Sequence, residues 1–316
     1  MSTNNAIFYL SRIFGLAPFS TVTRKSFTLY KLSKCWLCYS TFLVFSMSCL
    51  MPVMGYVLNR LQSNSLLYIS SQSVTDVYIT MLLLIQMLTL YNAKRVTVIS
   101  KHFSYFDNVS SYKNKQCNIA KIMIVQLAVN VFETAQFSAG LGSTSFMEKL
   151  CCCVFYTFGN NVLWLVDFQF CYLVSMLCQR YVHLNKILEL KESRGRGIHR
   201  YSSDNTRLSS RSSLHFSQAK VAHDVGKYHE LLRRLSEFIN STYFVINILT
   251  LTCTFIYITW SSYGIVVATA FPGNDPDSWW DVEKSIMNVI LWKLKLLGKL
   301  ITTVTVCAKT SEEVSF

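Results

Sequence analysis

Three acidic residues stand alone in long apolar stretches of this chain: Asp76 in Leu66–Tyr91, Glu133 in Ile122–Phe146 and Asp167 in Leu150–Cys178. An ionisable side chain in such a setting is costly to desolvate. It faces a bundle interior, pairs with an opposite charge or lines a path for a solute or ion. Lys293, Lys295 and Lys299, within Ser285–Cys307, offer the opposite charge. Amide and aromatic groups gather in the same stretches: Tyr68 and Gln72, then Gln136, then Tyr156, Asn160, Asn161 and Trp164, then Tyr257, Trp260 and Tyr263. A cavity lined by rings and amides orients a small polar organic ligand by stacking and hydrogen bonds together. Gln72, Asp76, Gln136, Asn160, Asn161, Trp164, Tyr257, Trp260 and Tyr263 are therefore the candidate ligand-binding residues. Two plainer readings stand beside this one: the acids pair with the lysines to hold the bundle together, and the aromatics are helix-packing residues.

Catalysis finds little support. All six histidines (His102, His183, His199, His215, His223 and His229) fall in polar connections, and no HExxH occurs. A hydrolase working at membrane depth needs a base or metal ligand there. The reading is of a non-enzyme with no cofactor and no metal site. The cysteines lie mostly inside apolar stretches, where cysteine behaves as a small hydrophobe. Cys35-Trp36-Leu37-Cys38 has redox-motif spacing but no surrounding βαβ pattern.

The elements that must position these groups are long helices. Apolar residues make up 51% of the 316 residues and charged ones 15%, well below the soluble norm. A helix of about 20 mostly apolar residues spans a bilayer. Cys35–Leu58, Leu66–Tyr91, Ile122–Phe146, Leu150–Cys178 and Asn240–Phe271 qualify. The sixth stretch, Ser285–Cys307, carries the three lysines, which leave it about 4 kcal/mol short of inserting alone. Lys284, Asn288, Lys295, Lys299 and Thr302 fall within roughly 60° on a helical wheel, a stripe able to face a bundle interior, whereas Lys293 lies opposite. The fold class expected is all-α: a multi-pass membrane bundle of six helices with cytoplasmic helical extensions.

The net charge of +13 sorts by segment. Residues 1–34, the 92–121 connection and the 179–239 connection hold 23 of the 30 basic residues, against 3 on the opposite side. Positive charge marks the cytoplasmic face, so the N-terminus is expected inside. That explains the basicity without nucleic acid, and it argues against a G-protein-coupled receptor, whose N-terminus is outside. No signal peptide is expected, because residues 1–34 lack an apolar h-region with a cleavage site. The organisation reads as residues 1–178 (N-terminal segment and helices 1–4), 179–239 (cytoplasmic loop) and 240–316 (helices 5–6 and a tail). Arg194–Ser213 is Ser/Arg-rich, aperiodic and expected to be disordered. On either side of it, Arg180–Glu192 and Ala219–Phe238 read as helical extensions able to pair as a stalk. A solute transporter remains the competing class, although the chain shows no internal repeat and only Pro52 lies inside a span.

Several motifs resemble those of insect gustatory receptors, within the insect chemoreceptor superfamily: Phe8-Tyr9-Leu10 with Gly15-Leu16-Ala17-Pro18-Phe19; His223 and His229-Glu230-Leu231-Leu232 through Leu235 and Phe238-Ile239-Asn240; and Leu291-Trp292, Cys307 and Thr310-Ser311-Glu312-Glu313. The resemblance implies a seven-helix, N-inside, ligand-gated cation channel in the plasma membrane of chemosensory neurons. It further implies assembly as a homo- or hetero-tetramer among membrane lipids, and a pocket for small soluble tastants such as sugars or bitter compounds. The opening of the chain is most similar to the sugar-sensing, fructose-type branch. The family's Thr-Tyr, five apolar residues, Gln-Phe signature of the seventh, pore-lining helix is not found here, so a truncated or partial form, silent by itself, is expected.

Overall fold

The computed structural model describes residues 6–24, 27–61, 66–110, 112, 125–126, 128–135, 145–201, 208–270 and 276–314. The described chain is almost entirely helical, as its apolar stretches require: a backbone in hydrocarbon satisfies its polar groups within the segment. In chain order come α1 (Ala6–Ile13), a hairpin of β1 (Phe19–Arg24) and β2 (Phe27–Leu32), α2 (Lys34–Leu61), α3 (Leu66–Tyr91) and α4 (Ala93–Ser110). Then follow α5 (residues 128–135), α6 (Phe146–Tyr201), α7 (Leu208–Ala270) and α8 (Pro276–Val314).

The helix at the centre is α6, packed against α7 and α8 and touched also by α1, α2 and α3. Its buried face runs from Phe155 through Val162, Val166 and Leu173 to Tyr181 and Leu184. Two stretches among the described residues, Phe146–Glu189 of α6 and Val225–Trp260 of α7, are each long and apolar enough to cross a membrane. Asp76–Tyr91 and Ala93–Ser110 reach that standard together across a 50° bend, and Lys34–Leu50 is apolar but shorter. The count of six spans rests on the sequence.

The all-α reading stands, with one addition and one correction. A short hairpin joins the helices: β1 and β2 pair antiparallel from Phe19–Leu32 to Arg24–Phe27. The β-branched and aromatic residues of this stretch suit a pleated strand. Gly15, at φ 72°, makes the turn that brings α1 back onto α2, where a Cβ would stand 3.2 Å from the Leu43 side chain. The Ser/Arg-rich segment expected to be disordered carries helix at both ends, α6 running on to Tyr201 and α7 starting at Leu208. Each residue added to a helix already formed gains a backbone hydrogen bond without a new nucleation cost. Positions 202–207 lie outside the described residues.

Candidate functional site

The lysines of α8 sort themselves by the 100° advance of the helix. Lys295 and Lys299 are one turn apart on one face, and Lys293 points away. The Lys295 ammonium donates to Glu133 Oε2 at 2.6 Å and to Asn130 Oδ1 at 2.6 Å, both on α5. Its side chain is 5% exposed and that of Glu133 11%. Lys299 forms an ion pair with Asp167 of α6, again nearly buried on both sides. Lys293, across the helix, donates to Ser262 Oγ of α7 at 2.7 Å. An ammonium in a low-dielectric interior is tolerable only with such partners.

The pairs are embedded in a hydrogen-bonded lattice between α5 and α6. Asn130 Nδ2 donates to Asn161 Oδ1 at 2.8 Å, and Asn161 Nδ2 to the Thr157 carbonyl at 2.7 Å. Thr134 and Thr157 share a hydroxyl–hydroxyl bond of 2.8 Å. Asn130, Glu133 and Thr134 fall at i, i+3 and i+4, one face of a helix turned towards its neighbours. Glu133 keeps its second oxygen, Oε1, buried and without a hydrogen bond among the described residues.

Trp164 sits between the two pairs. Its ring centroid is 5.6 Å from the Lys295 ammonium and 5.9 Å from that of Lys299, within cation–π range. Beside it opens a small, half-open cleft between α3, α6, α7 and α8. Its polar lining is Tyr78, Asn160, Trp164, Thr254, Lys295 and Lys299; Leu163, Cys253 and Leu296 supply the apolar wall. Tyr78 donates to Asn160 Oδ1 at 3.3 Å, tying α3 to α6 across the cleft. That approach depends on Gly159, where a Cβ would come within 3.1 Å of both the Tyr78 hydroxyl and Leu82.

Of the candidates named from the sequence, Asn160 and Trp164 line this cleft. Asn161 is buried but engaged with α5. Trp260 and Tyr263 stack on each other at 5.7 Å, with Tyr263 half exposed and neither in the cleft. Asp76 is exposed. The buried stripe of α3 passes through Ile79, Leu82, Gln86 and Thr89, and Asp76 is turned roughly 100° away from it. It is not among the cleft's lining and pairs with no lysine among the described residues. Gln136 and the side chains of Gln72 and Tyr257 lie outside the described residues, as do those of Tyr68, Lys284 and Asn288. Tyr78 and Thr254, which line the cleft, and Asn130, which holds Lys295, are positions that sequence reasoning missed. Only the recurrence of polar residues on the α5 and α6 faces could have signalled Asn130.

These features, polar and aromatic groups converging inside an apolar helix bundle, agree with the comparison of the whole chain. Residues 5–315 match the model of the 7tm chemosensory receptor family. The chain belongs to that family. Membership covers nearly every residue described above and is consistent with the resemblance to insect gustatory receptors. Among curated proteins, none matches the chain. As a 7tm chemosensory receptor it is a multi-pass helical membrane protein whose role is the reception of chemical signals. The cleft at Trp164 is then the feature of this receptor that demands a chemical account.

Proposed function

We propose that this receptor is a subunit of a ligand-gated cation channel for small soluble tastants, and that the tastant binds in the cleft lined by Tyr78, Asn160, Trp164, Thr254, Lys295 and Lys299. The observation that supports this reading is the convergence of an aromatic ring, an amide, two hydroxyls and two ammonium groups on one opening between four helices. Apolar walls with a few placed polar groups are the usual make-up of a small-molecule site. The subunit is placed in the plasma membrane of chemosensory neurons with its N-terminus cytoplasmic, assembled as a homo- or hetero-tetramer with related subunits.

A ligand that favours one arrangement of α6 and α8 shifts the population towards it. The Lys295–Glu133 and Lys299–Asp167 pairs join α8 to α5 and α6, so rearrangement at the cleft reaches three helices at once. The test is expression in cells, alone and with related subunits, with a panel of sugars, bitter compounds and small organic acids. Saturable binding, with current or calcium entry in the assembled receptor, is the expected result. Absence of both binding and co-assembly would overturn the reading. The buried ion pairs also suit a transporter with a midplane site; concentrative uptake of a labelled solute into vesicles, without current, would favour that reading instead.

A further inference from the structure

Accepting that the cleft is the ligand site, we infer from its hydrogen-bonding inventory that the ligand is a small organic carboxylate with a short hydrocarbon body. Lys295 uses two of its three N–H donors on Glu133 and Asn130, leaving one. Lys299 is ion-paired with Asp167 and makes no side-chain hydrogen bond among the described residues, so its N–H donors are uncommitted. Asn160 accepts from Tyr78 through Oδ1, and its Nδ2 has no acceptor among the described residues.

Acceptors facing the cleft are few. The Thr254 hydroxyl donates to the Thr250 carbonyl and the Tyr78 hydroxyl to Asn160, so neither hydroxyl proton is left for a ligand. The two carboxylates that balance the lysines, Glu133 and Asp167, do not line the opening. The surface a ligand meets is mostly apolar, and the few polar atoms on it are chiefly donors of two ion-paired ammonium groups and one amide. Its complement is a group with several acceptor sites and no donor of its own, which a carboxylate supplies and a polyol does not. Hydrogen bonds from an ammonium to a carboxylate are also about twice as strong as neutral ones. Leu163, Cys253 and Leu296 leave an apolar wall for the remainder of the molecule.

The experiment uses the full chain reconstituted in lipid nanodiscs and three probes of matched shape: radiolabelled phenylacetate, phenylacetamide and 2-phenylethanol. The expected result is saturable binding of phenylacetate at neutral pH, with the amide and the alcohol at least about tenfold weaker. Lys299→Met paired with Asp167→Leu removes the ammonium without stranding a buried charge. This double variant should keep its melting temperature and lose at least about tenfold in phenylacetate affinity. Lys293→Met, on the far face of α8, should bind as the parent does. Equal binding of acid and amide, or full affinity in the double variant, would overturn the inference. If fructose or a neutral bitter compound binds and gates while phenylacetate neither binds nor competes, the carboxylate inference falls and the receptor reading stands. If no probe and no tastant binds, both fall.

Discussion

A buried lysine is defined by what it would leave behind if removed. Lys295→Met strands Glu133, nearly buried with Oε1 already lacking a partner, and should destabilise the folded chain by about 3–5 kcal/mol. Pairing it with Glu133→Leu should restore most of that loss, which denaturant or thermal unfolding in a fixed lipid environment would measure. A second residue tests the opposite situation. The Tyr181 ring is fully buried on α6, 5.5 Å from that of His229. Its hydroxyl has no hydrogen-bond partner among the described residues. Tyr181→Phe should be neutral or slightly stabilising in thermal unfolding, because it deletes an unsatisfied polar group. A marked loss of melting temperature in the variant would contradict this.

At the scale of elements, what was legible was what periodicity and apolar length record. The bounds of α3 coincide with its apolar stretch, α2, α6 and α8 each contain the span read from the sequence, and α7 contains its span up to Ala270, where the described residues stop. The pairing of Glu133 and Asp167 with lysines was legible because lone acids in apolar helices have few other ways to be satisfied. Asp76 was misread for the same reason: α3 is apolar on every side, so nothing in the pattern reveals which face is turned to lipid. The β1–β2 hairpin was missed because its strands are short and lie within a segment judged by its charge. Tyr78 and Thr254 were missed because a lone hydroxyl in an apolar helix usually bonds to its own preceding turn, as Thr254 does. Gly159 holds α3 close to α6, and no pattern announces that. Gly159→Val should force the Tyr78 and Leu82 side chains away, costing about 1–3 kcal/mol and weakening ligand binding through the broken Tyr78–Asn160 bond. Gly298 is the control. A Cβ there meets nothing within 4 Å, so Gly298→Ala should stabilise by about 0.5–1 kcal/mol through helix propensity alone. Equal effects at the two glycines, in unfolding and binding together, would show that α3–α6 contact does not set the cleft.

Viewed whole, the molecule turns its apolar side chains outward on three helices. Phe42 and Phe45 of α2, Phe244, Ile248, Leu251 and Phe255 of α7, and Leu294, Leu297, Ile301 and Val304 of α8 are all exposed. Contiguous apolar surface of that kind belongs against hydrocarbon rather than water. Along the sequence, 23 of the 30 basic residues fall in residues 1–34, 92–121 and 179–239, the connections expected on one side. Arg180, in the last of these, is fully buried against Phe103 at 4.2 Å and makes a bidentate pair with Asp107 at 2.6 and 2.9 Å. Even there, a cation of the cluster bridges α4 and α6. Because the K/R bias of short loops sets orientation, this side should face the cytoplasm. An epitope tag placed before residue 1 should be reached by antibody only after permeabilisation. A tag in residues 272–275 should be reached on intact cells. Asn108 and Asn240, each within an Asn-x-Ser/Thr sequon at or near the basic end, should remain unglycosylated, since the modification occurs only on the lumenal side. Labelling of the N-terminal tag on intact cells, or glycan at Asn108, would invert the topology. It would also move the basic cluster to the outside and remove the electrostatic reason for its position.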